Sequence, residues 1–280
     1  RQASKFVKSG KTKAVDLDVA KFFDEVNHQR LMWLLSIRIG DKRLLRLIFK
    51  ILKTAILTDG LQEQRTKGTP QGSPLSPLLS NIVLDELDQE LSRRGLSFVR
   101  YADDVQILVS SQKSAERVQS SVISFIENKM KLKVNREKSG IKPCYKVNFL
   151  GYSLLHGGKL GLSKSSEQRL KDKLKTITQR KRGVSLEQIL KELKVVLQGW
   201  MLYFQLAQMK SKLIAIEGWL RRRLKCFRLK QCKRAIGIVR FLTKLKVEKT
   251  LCWRVALSGK GWWRLSNSPA LNIGMNNNWF

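Results

Sequence analysis

Apolar and polar residues alternate over 11–19 (KTKAVDLDV), which is the period of a half-buried β-strand. Over 28–57 the apolar residues recur mostly at three and four positions, which is typical of helices, with a break near Gly40. A turn rich in Gly, Pro and Ser at 68–77 precedes a helix over 78–87, and proline near its first turn fits that start. The pattern therefore predicts strands mixed with helices.

The same mixture continues toward the middle of the chain. Two short strands are predicted at 97–101 and 105–109, on either side of a tight Ala-Asp-Asp corner. A helix is predicted at about 114–130. Strand-like segments follow it around 132–135, 146–150 and 153–155.

The composition changes after Gly161, where 166–232 predicts three helices in a small and very basic bundle. In the second helix Ser185 and Gln188 form a candidate capping box. Its apolar residues trace one face: Leu186, Ile189, Leu190, Leu193, Val196, Leu197, Trp200 and Phe204. We expect a domain boundary near 161–166, whereas 236–280 gives no clear element.

Charge narrows the choice of partner. Lys and Arg total 55 against 22 Asp and Glu, a net charge of +33. A chain with that charge repels itself unless a polyanion is nearby, and nucleic acid is the natural candidate. A basic ribosomal-type protein or a membrane-surface protein would show the same excess, so charge alone indicates only a polyanion binder.

Zinc and membrane partners are not expected. The four cysteines form no C-x-x-C pair, and both histidines are far from them in sequence, so we predict reduced thiols and no zinc. No stretch approaches the roughly 20 apolar residues of a membrane helix.

Aspartate carboxylates that are dispersed along the sequence are the candidate catalytic groups. Asp16 and Asp18 lie two apart on the first strand and so point to the same side. Asp103 and Asp104 occupy the corner between two strands, within reach of Asp18 if the strands pair. Such carboxylates are oxygen ligands for Mg²⁺, and a pair of ions promotes phosphoryl transfer. The alternatives are a solvated Asp-Asp turn and a strand-end carboxylate held by backbone donors.

Five ordered segments resemble the reverse transcriptases encoded by group II introns. They are VDLDVAKFFDEVNH (15–28), GTPQGSPLSPLLSNIVLDELD (68–88), RYADDVQI (100–107), LKVNREKSG (132–140) and NFLGYSL (148–154). The segments LQGWMLYF (197–204) and WLRRRLKCFRLKQCKR (219–234) resemble the thumb, or X, domain of maturases. GKGWWRLSNSPAL (259–271) resembles the segment that follows the thumb in bacterial members.

The resemblance implies an α+β fold, in which the right-hand palm of a polymerase (an antiparallel sheet with packed helices) precedes an all-α thumb bundle. It divides the chain into a palm with partial fingers at 1–162, a helical thumb at 163–235 and a basic C-terminal segment at 236–280, a candidate start of a DNA-binding region. The family carries a fingers region that we expect to precede residue 1, so we expect this chain to be weakly active or inactive alone.

The resemblance also assigns roles at the site. Asp18, Asp103 and Asp104 match the catalytic carboxylates that hold two Mg²⁺ ions, and Lys138 matches a lysine that protonates the leaving pyrophosphate. Asp18 is preferred to Asp16 because Phe23 then falls five residues later, at the aromatic that excludes a 2′-hydroxyl. The nucleotide-binding residues are Phe23, Gln71, Gly72, Tyr101 and Ala102. The alternatives are a core aromatic at 23, simple helix entry at 71–72 and a solvated lysine at 138.

A dense basic helix is the candidate RNA-binding surface. Its residues are Arg221, Arg222, Arg223, Lys225, Arg228, Lys230, Lys233 and Arg234. Trp219, Leu220, Leu224 and Phe227 interrupt them at helical spacing and are expected in the core. The implied partners are intron RNA, an RNA template with a DNA primer, deoxynucleotides and, as a further candidate, target DNA.

The implied function is an RNA-directed DNA polymerase of a group II intron that also assists splicing and mobility, in the cytoplasm of a bacterium, associated with RNA or the nucleoid. One alternative is a non-catalytic, RNA-binding splicing factor. The other is a retron or defence-type reverse transcriptase.

Overall fold

The computed structural model describes residues 1–54, 56–58, 61–63, 65–70 and 72–279, with the backbone alone at 56–58 and 61–63. The chain forms two compact units. The first comprises Arg1–Phe149 and Ser153–Lys159, and the second Leu150–Tyr152 and Leu160–Phe280. The predicted division into palm, thumb and C-terminal segment stays a proposal.

Strands and helices alternate in the first unit, and the second is mostly helical. The described strands are β1 Lys13–Asp18, β2 Ile56–Thr58, β3 Leu61–Glu63, β4 Ser97–Tyr101, β5 Asp104–Val109, β6 Gly140–Pro143, β7 Asn148–Phe149, β8 Tyr152–Leu154 and β9 Leu160–Leu162. The described α-helices are α1 Gln2–Lys8, α2 Phe22–Glu25, α3 His28–Arg38, α4 Lys42–Leu52, α5 Ser76–Arg93, α6 Gln112–Ser124, α7 Lys164–Ile177, α8 Leu186–Tyr203, α9 Lys210–Gln231, α10 Ala235–Lys244, α11 Lys249–Ala256, α12 Trp262–Leu265 and α13 Pro269–Gly274.

A four-stranded antiparallel sheet organises the first unit, in the order β4-β5-β1-β6. The alternation in β1 buries Val15 and Leu17 in the core while Asp16 and Asp18 stay half-buried on the other side. β5 lies between β4 and β1, and its residues Val105–Val109 are all buried, as expected of an interior strand. Leucines of α3 and α5 complete this core.

Most predicted elements of the first unit are confirmed. The helical stretch predicted at 28–57 is confirmed as α3 and α4 with the break at Gly40, but it was wrong at its end, since α4 stops at Leu52 and 56–57 belong to β2. The two strands around the Ala-Asp-Asp corner are β4 and β5. The predicted strand at 132–135 was wrong, because only an isolated bridge between Val19 and Val134 forms there. β6 was not predicted, since its four residues are too few to show an alternation.

The three helices predicted for 166–232 are confirmed as α7, α8 and α9. The capping box is half confirmed: Ser185 Oγ accepts the Gln188 N–H at 3.1 Å, but the Gln188 side chain donates to Glu192. Leu224 and Phe227 lie in the core of this bundle, as predicted.

Residues 236–280, which showed no element in sequence, contain the short helices α11 to α13 and most of α10. These helices share a core of their own with Leu229 of α9, around Leu242 and Leu271. Helices of four to ten residues are too short for a clear apolar periodicity. Over the described residues, no helix has the length and apolar character needed to span a membrane.

Candidate active site

Strand pairing brings carboxylates from distant parts of the chain together. β1 runs antiparallel to β5 in a register that places Asp18 opposite Asp104 and Asp16 opposite Gln106. Asp103 lies in the turn between β4 and β5. Asp18 and Asp103 both line a cleft of about 660 Å³. The three predicted catalytic carboxylates therefore lie at one end of the sheet.

The electrostatics of Asp104 reflect this crowding. Burial, and then the negative charges of Asp16, Asp103 and Asp18, raise the pKa of Asp104 to about 6, and the Lys142 ammonium opposes the shift. Several like charges close together each disfavour ionisation of the next. This site therefore holds negative charge that a cation would offset.

Replacing Asp104 with asparagine should stabilise the metal-free protein in a pH-dependent way. The folded state binds the Asp104 proton more tightly than the unfolded state, where the pKa is near 3.8, so the ionised carboxylate costs stability above pH 6. We expect Asp104→Asn to raise the free energy of unfolding by about 1–2 kcal/mol at pH 8, after discounting for partial exposure. The gain should vanish below about pH 4, where both states are protonated.

The measurement is urea denaturation in EDTA at several pH values, with wild type and Asp104→Asn compared at each. A gain that is the same at pH 4 and pH 8 would contradict the charge crowding derived for this site.

The aspartate carboxylates are the type of ligand that a divalent cation prefers, although their arrangement does not form a metal-binding cluster. Across the part of the chain that is described, no three His, Cys, Asp or Glu side chains are arranged to hold a metal ion. Carboxylate oxygens are nevertheless the donors that hard divalent cations prefer. The raised pKa of Asp104 is the sign that the charges of Asp16, Asp18 and Asp103 act on one region. The residues present therefore fit such an ion chemically.

A turn after 132–135 supports Asp18 and places Lys138 beside it. The Asp18 N–H donates to Ser139 Oγ at 3.0 Å, and its carbonyl accepts the Asn135 N–H at 2.9 Å. The Asn135 side chain caps the turn by accepting the N–H of Lys138. Lys138 Nζ then lies 3.9 Å from Asp18 Oδ2, with the lysine side chain 72% exposed. This lysine faces the cleft and is accessible to a substrate.

Asp16 has a different environment from Asp18 although both lie on the same face of β1. Its Oδ2 accepts a hydrogen bond from Lys142 Nζ at 3.0 Å, and its Oδ1 lies 3.5 Å from Gln106 Nε2. Asp16 does not line the cleft. The carboxylate of Asp16 is thus occupied within the sheet.

The corner between β4 and β5 exposes the residues expected beside the primer end. Tyr101 is 63% exposed, and Ala102 adopts a left-handed conformation with φ of 52°. Such a conformation is uncommon for a residue other than glycine and persists where its surroundings hold it.

Phe23 lines the cleft from the short helix α2. Its ring packs edge-on against Phe22, with centroids 5.6 Å apart, and Phe22 is a core residue that is 1% exposed. The ring of Phe23 therefore has one side supported by the core and another open to the cleft.

The Gly-Pro-rich segment is anchored directly on this helix. The Thr69 N–H donates to the Phe23 carbonyl at 2.7 Å, and the Gly68 N–H donates to the Val26 carbonyl at 2.7 Å. The buried ring of His28 bonds the Gly68 carbonyl through Nε2, also at 2.7 Å. Gly72 follows with φ of 83° and open space around it, whereas Gln71 lies outside the described residues.

Gly68 is a position where a side chain has no room. A Cβ there would lie 2.8 Å from the Asp24 carbonyl oxygen and 2.9 Å from that of Phe23, and φ is +84°. We expect Gly68→Ala to lower the free energy of unfolding by about 2–4 kcal/mol. Gly72→Ala, with similar φ but open space, should cost only about 1 kcal/mol. Urea denaturation checks both, and equal losses would contradict the close approach at Gly68.

The predicted RNA-binding residues fall into two groups in the second unit. Lys230, Lys233 and Arg234 are exposed. The prediction of one basic helix was wrong for Lys233 and Arg234, which lie in the turn between α9 and α10. The others make internal contacts. Arg222 donates to the Trp263 carbonyl and lies over its ring, Arg223 donates to Thr178, and Lys225, only 7% exposed, donates to Asn272.

The remaining two basic residues also contact neighbours within the unit. Arg221 donates to Asn277, and the Arg228 guanidinium lies 4.6 Å from the Phe241 ring. Several of these contacts join α9 to the region 236–280, a structural role that the sequence did not indicate.

Sequence reasoning missed the polar residues that support the site. Arg100, Asp88 and Asn81 form a network beneath the Tyr101–Asp104 corner, and His28 holds the segment before Gly72. His28 was the one signal visible in the sequence, because an ionisable side chain on the apolar face of a predicted helix needs a hydrogen-bond partner when it is buried.

Comparison with known proteins gives two family matches. Residues 2–154 match the family described as reverse transcriptase (RNA-dependent DNA polymerase). Residues 167–244 match the group II intron, maturase-specific domain. The first match covers more than half of the chain.

Individual proteins and a solved structure are also similar to the chain. Protein YkfC of Escherichia coli is 31% identical over 179 residues, covering 50% of this chain and 46% of the relative. The group II intron-encoded protein LtrA of Lactococcus lactis is 27% identical over 205 residues, covering 50% of this chain and 34% of the relative. The chain thus spans less than half the length of these curated relatives. The structure of telomerase from Candida albicans with a fragment of telomeric RNA aligns with a TM-score of 0.48 and 15% identity, over 73% of this chain and 42% of that one.

Proposed function

Because the chain belongs to the reverse transcriptase family and carries the group II intron maturase-specific domain, we propose that it is an RNA-directed DNA polymerase of a group II intron that also binds intron RNA. The observation that carries the polymerase proposal is the strand register that sets Asp18 opposite Asp104, beside a cleft lined by Asp18, Asp103 and Phe23. Its substrates are an RNA template with a DNA primer, and deoxynucleotides.

Each predicted site residue has a proposed part in nucleotide addition. The carboxylates of Asp18, Asp103 and Asp104 supply the negative charge that draws a divalent cation to the primer end. Lys138 gives a proton to the departing pyrophosphate, and its exposed position 3.9 Å from Asp18 supports this role. Phe23 limits the space at the sugar, so that a deoxyribose is preferred. Tyr101 and Ala102 contact the primer end, and Gly72 contacts the nucleotide. Gln71, which lies outside the described residues, is proposed as a nucleotide contact from the resemblance alone.

Reverse transcriptases as a family use divalent metal ions. We propose that two Mg²⁺ ions bind to Asp18, Asp103 and Asp104, where they would activate the primer hydroxyl and neutralise the pyrophosphate. The support is the chemistry of the donors and the crowding of charge at Asp104.

The second activity is binding of intron RNA to assist splicing and mobility, and the match to the maturase-specific domain supports it. Target DNA is a further proposed partner. Seven of the eight basic residues remain proposed contacts, and the exposed Lys230, Lys233 and Arg234 are the first to test. Lys225 is no longer proposed as a contact, because its ammonium is buried against Asn272. A bacterial cytoplasmic location, associated with RNA or the nucleoid, accords with these partners.

Replacing Lys230, Lys233 and Arg234 together with alanine should weaken RNA binding at every sequence. We expect the slope of log affinity against log salt to fall by about 2 to 3, since three phosphate contacts are lost. Lys225→Met is the matched control, because its ammonium is buried against Asn272 and should affect stability more than RNA binding. Binding titrations at several salt concentrations decide, and an unchanged slope in the triple variant would remove these residues from the interface.

A non-catalytic splicing factor is the competing function. The test measures primer extension and intron-RNA binding in parallel, for this chain, for the longest natural form of the protein and for Asp103→Ala in that form. Extension that Asp103→Ala loses while RNA binding persists supports the polymerase. Tight RNA binding with no extension by the longest form would leave the splicing factor.

A further inference from the structure

Arg100 connects the carboxylate corner to a helix beneath it. Its side chain on β4 is 13% exposed. Nε donates to Asp88 Oδ1 at 2.8 Å and Nη2 donates to the other carboxylate oxygen, so the guanidinium forms a bidentate ion pair with Asp88 of α5. Nη1 donates both to Asn81 Oδ1 at 2.9 Å and to the Ala102 carbonyl at 3.0 Å. One side chain therefore contacts two residues of α5 and the corner itself.

The contact to Ala102 matters because of its backbone. Ala102 has φ of 52°, a conformation that costs free energy in a residue with a Cβ. The hydrogen bond from Arg100 fixes the carbonyl of that same residue, one position before Asp103. The planar guanidinium suits this arrangement, because its donors are held in a fixed geometry that a lysine cannot reproduce.

We propose that Arg100 is a positioning residue, which through Asp88 and Asn81 of α5 holds the left-handed corner that presents Asp103 and Asp104 to the cleft. The proposal rests on the polymerase function proposed above. Groups that orient metal-binding side chains from behind change metal affinity or activity by about 10–100-fold when removed. Arg100 should act in this way without touching the substrate.

A purely structural role is the alternative, in which Arg100 only ties β4 to α5. A second arginine, at the C-terminal end of α5, provides the matched control. Arg94 donates to Glu90 and to Ser121, and it makes no hydrogen bond to the corner. Its side chain is also mostly buried, at 26% exposed. Removing Arg94 should therefore disturb α5 without moving the carboxylates.

The experiment compares wild type, Arg100→Met, Arg100→Lys, Asp88→Asn and Arg94→Met. Binding of Mn²⁺, measured from the free-ion signal in electron paramagnetic resonance, is the readout that does not depend on activity. The second readout is single-turnover addition of one deoxynucleotide by the longest natural form, which separates the maximal rate from half-saturation by the nucleotide.

We expect Arg100→Met to lower Mn²⁺ affinity and the maximal rate by at least about tenfold, with smaller losses in Arg100→Lys and Asp88→Asn and none in Arg94→Met. Wild-type Mn²⁺ affinity in a folded Arg100→Met protein would overturn the proposal, as would a wild type that binds no Mn²⁺. If Arg100→Met does not fold, Asp88→Asn decides, and unchanged affinity there would overturn it. A wild type that binds Mn²⁺ but extends no primer would defeat the polymerase function alone, since the Mn²⁺ comparison still tests the positioning role.

Discussion

Replacing Asp18 with asparagine should lower the rate of nucleotide addition by on the order of 1,000-fold, whereas the same replacement at Asp16 should leave it within about tenfold of wild type. Both carboxylates lie on one face of β1, two residues apart. Only Asp18 lines the cleft and stands opposite Asp104, while Asp16 is paired with Lys142. The two variants therefore remove the same chemical group from the same strand at sites with different roles.

The measurement is single-turnover addition of one deoxynucleotide to a primer on an RNA template, with RNA binding measured alongside. Breaking the partly exposed Asp16–Lys142 pair should change the free energy of unfolding by no more than about 1 kcal/mol, so Asp16→Asn also controls for folding. Equal losses of rate in the two variants would contradict the assignment of Asp18 as the catalytic carboxylate on this strand.

Replacing Phe23 with valine should reduce the preference for deoxynucleotides over ribonucleotides by on the order of 100-fold. The Phe23 ring borders the cleft and is supported by Phe22 behind it. Its backbone carbonyl is fixed by the Thr69 N–H, so a smaller side chain should open space at the sugar without moving the helix α2 that carries it. The reduced preference should appear as a higher kcat/KM for ribonucleotides.

Phe22→Leu is the matched control, because it alters the neighbouring ring inside the core. We expect it to cost about 1 kcal/mol of stability and to leave the sugar preference intact. The check is the ratio of kcat/KM for the two nucleotide types in each variant. A Phe23→Val protein with unaltered preference would remove this ring from the sugar site.

The local pattern of the chain predicts β1 from its alternation and predicts β4 and β5 as short strands on either side of a tight corner, because neither signal requires knowledge of the partner strand. It also places two carboxylates on one face of β1 and two at a corner. The register that sets Asp18 opposite Asp104 comes from pairing between residues far apart in sequence. The sequence predicted that these carboxylates come within reach of each other, but not this register.

The supporting contacts escaped sequence reasoning because each one joins residues that no local pattern links. Lys142 reaches Asp16 across 126 positions, and Arg100 reaches Asp88 across 12. In the basic helix, charge alone could not tell the buried Lys225 from the exposed Lys230, since the distinction depends on packing of 236–280 against α9. Net charge indicates a polyanion partner, but it does not indicate which lysine and arginine side chains contact that partner.

Template-directed addition of a single deoxynucleotide is the most direct test of the central claim that this chain forms the active site of a reverse transcriptase. The longest natural form is given a DNA primer on RNA templates that differ only in the first unpaired base, with Mg²⁺ and each deoxynucleotide in turn. We expect addition of the complementary deoxynucleotide on each template, and we expect this addition to be lost on treatment with EDTA and in Asp103→Ala. Binding of the same primer–template without any addition would contradict it.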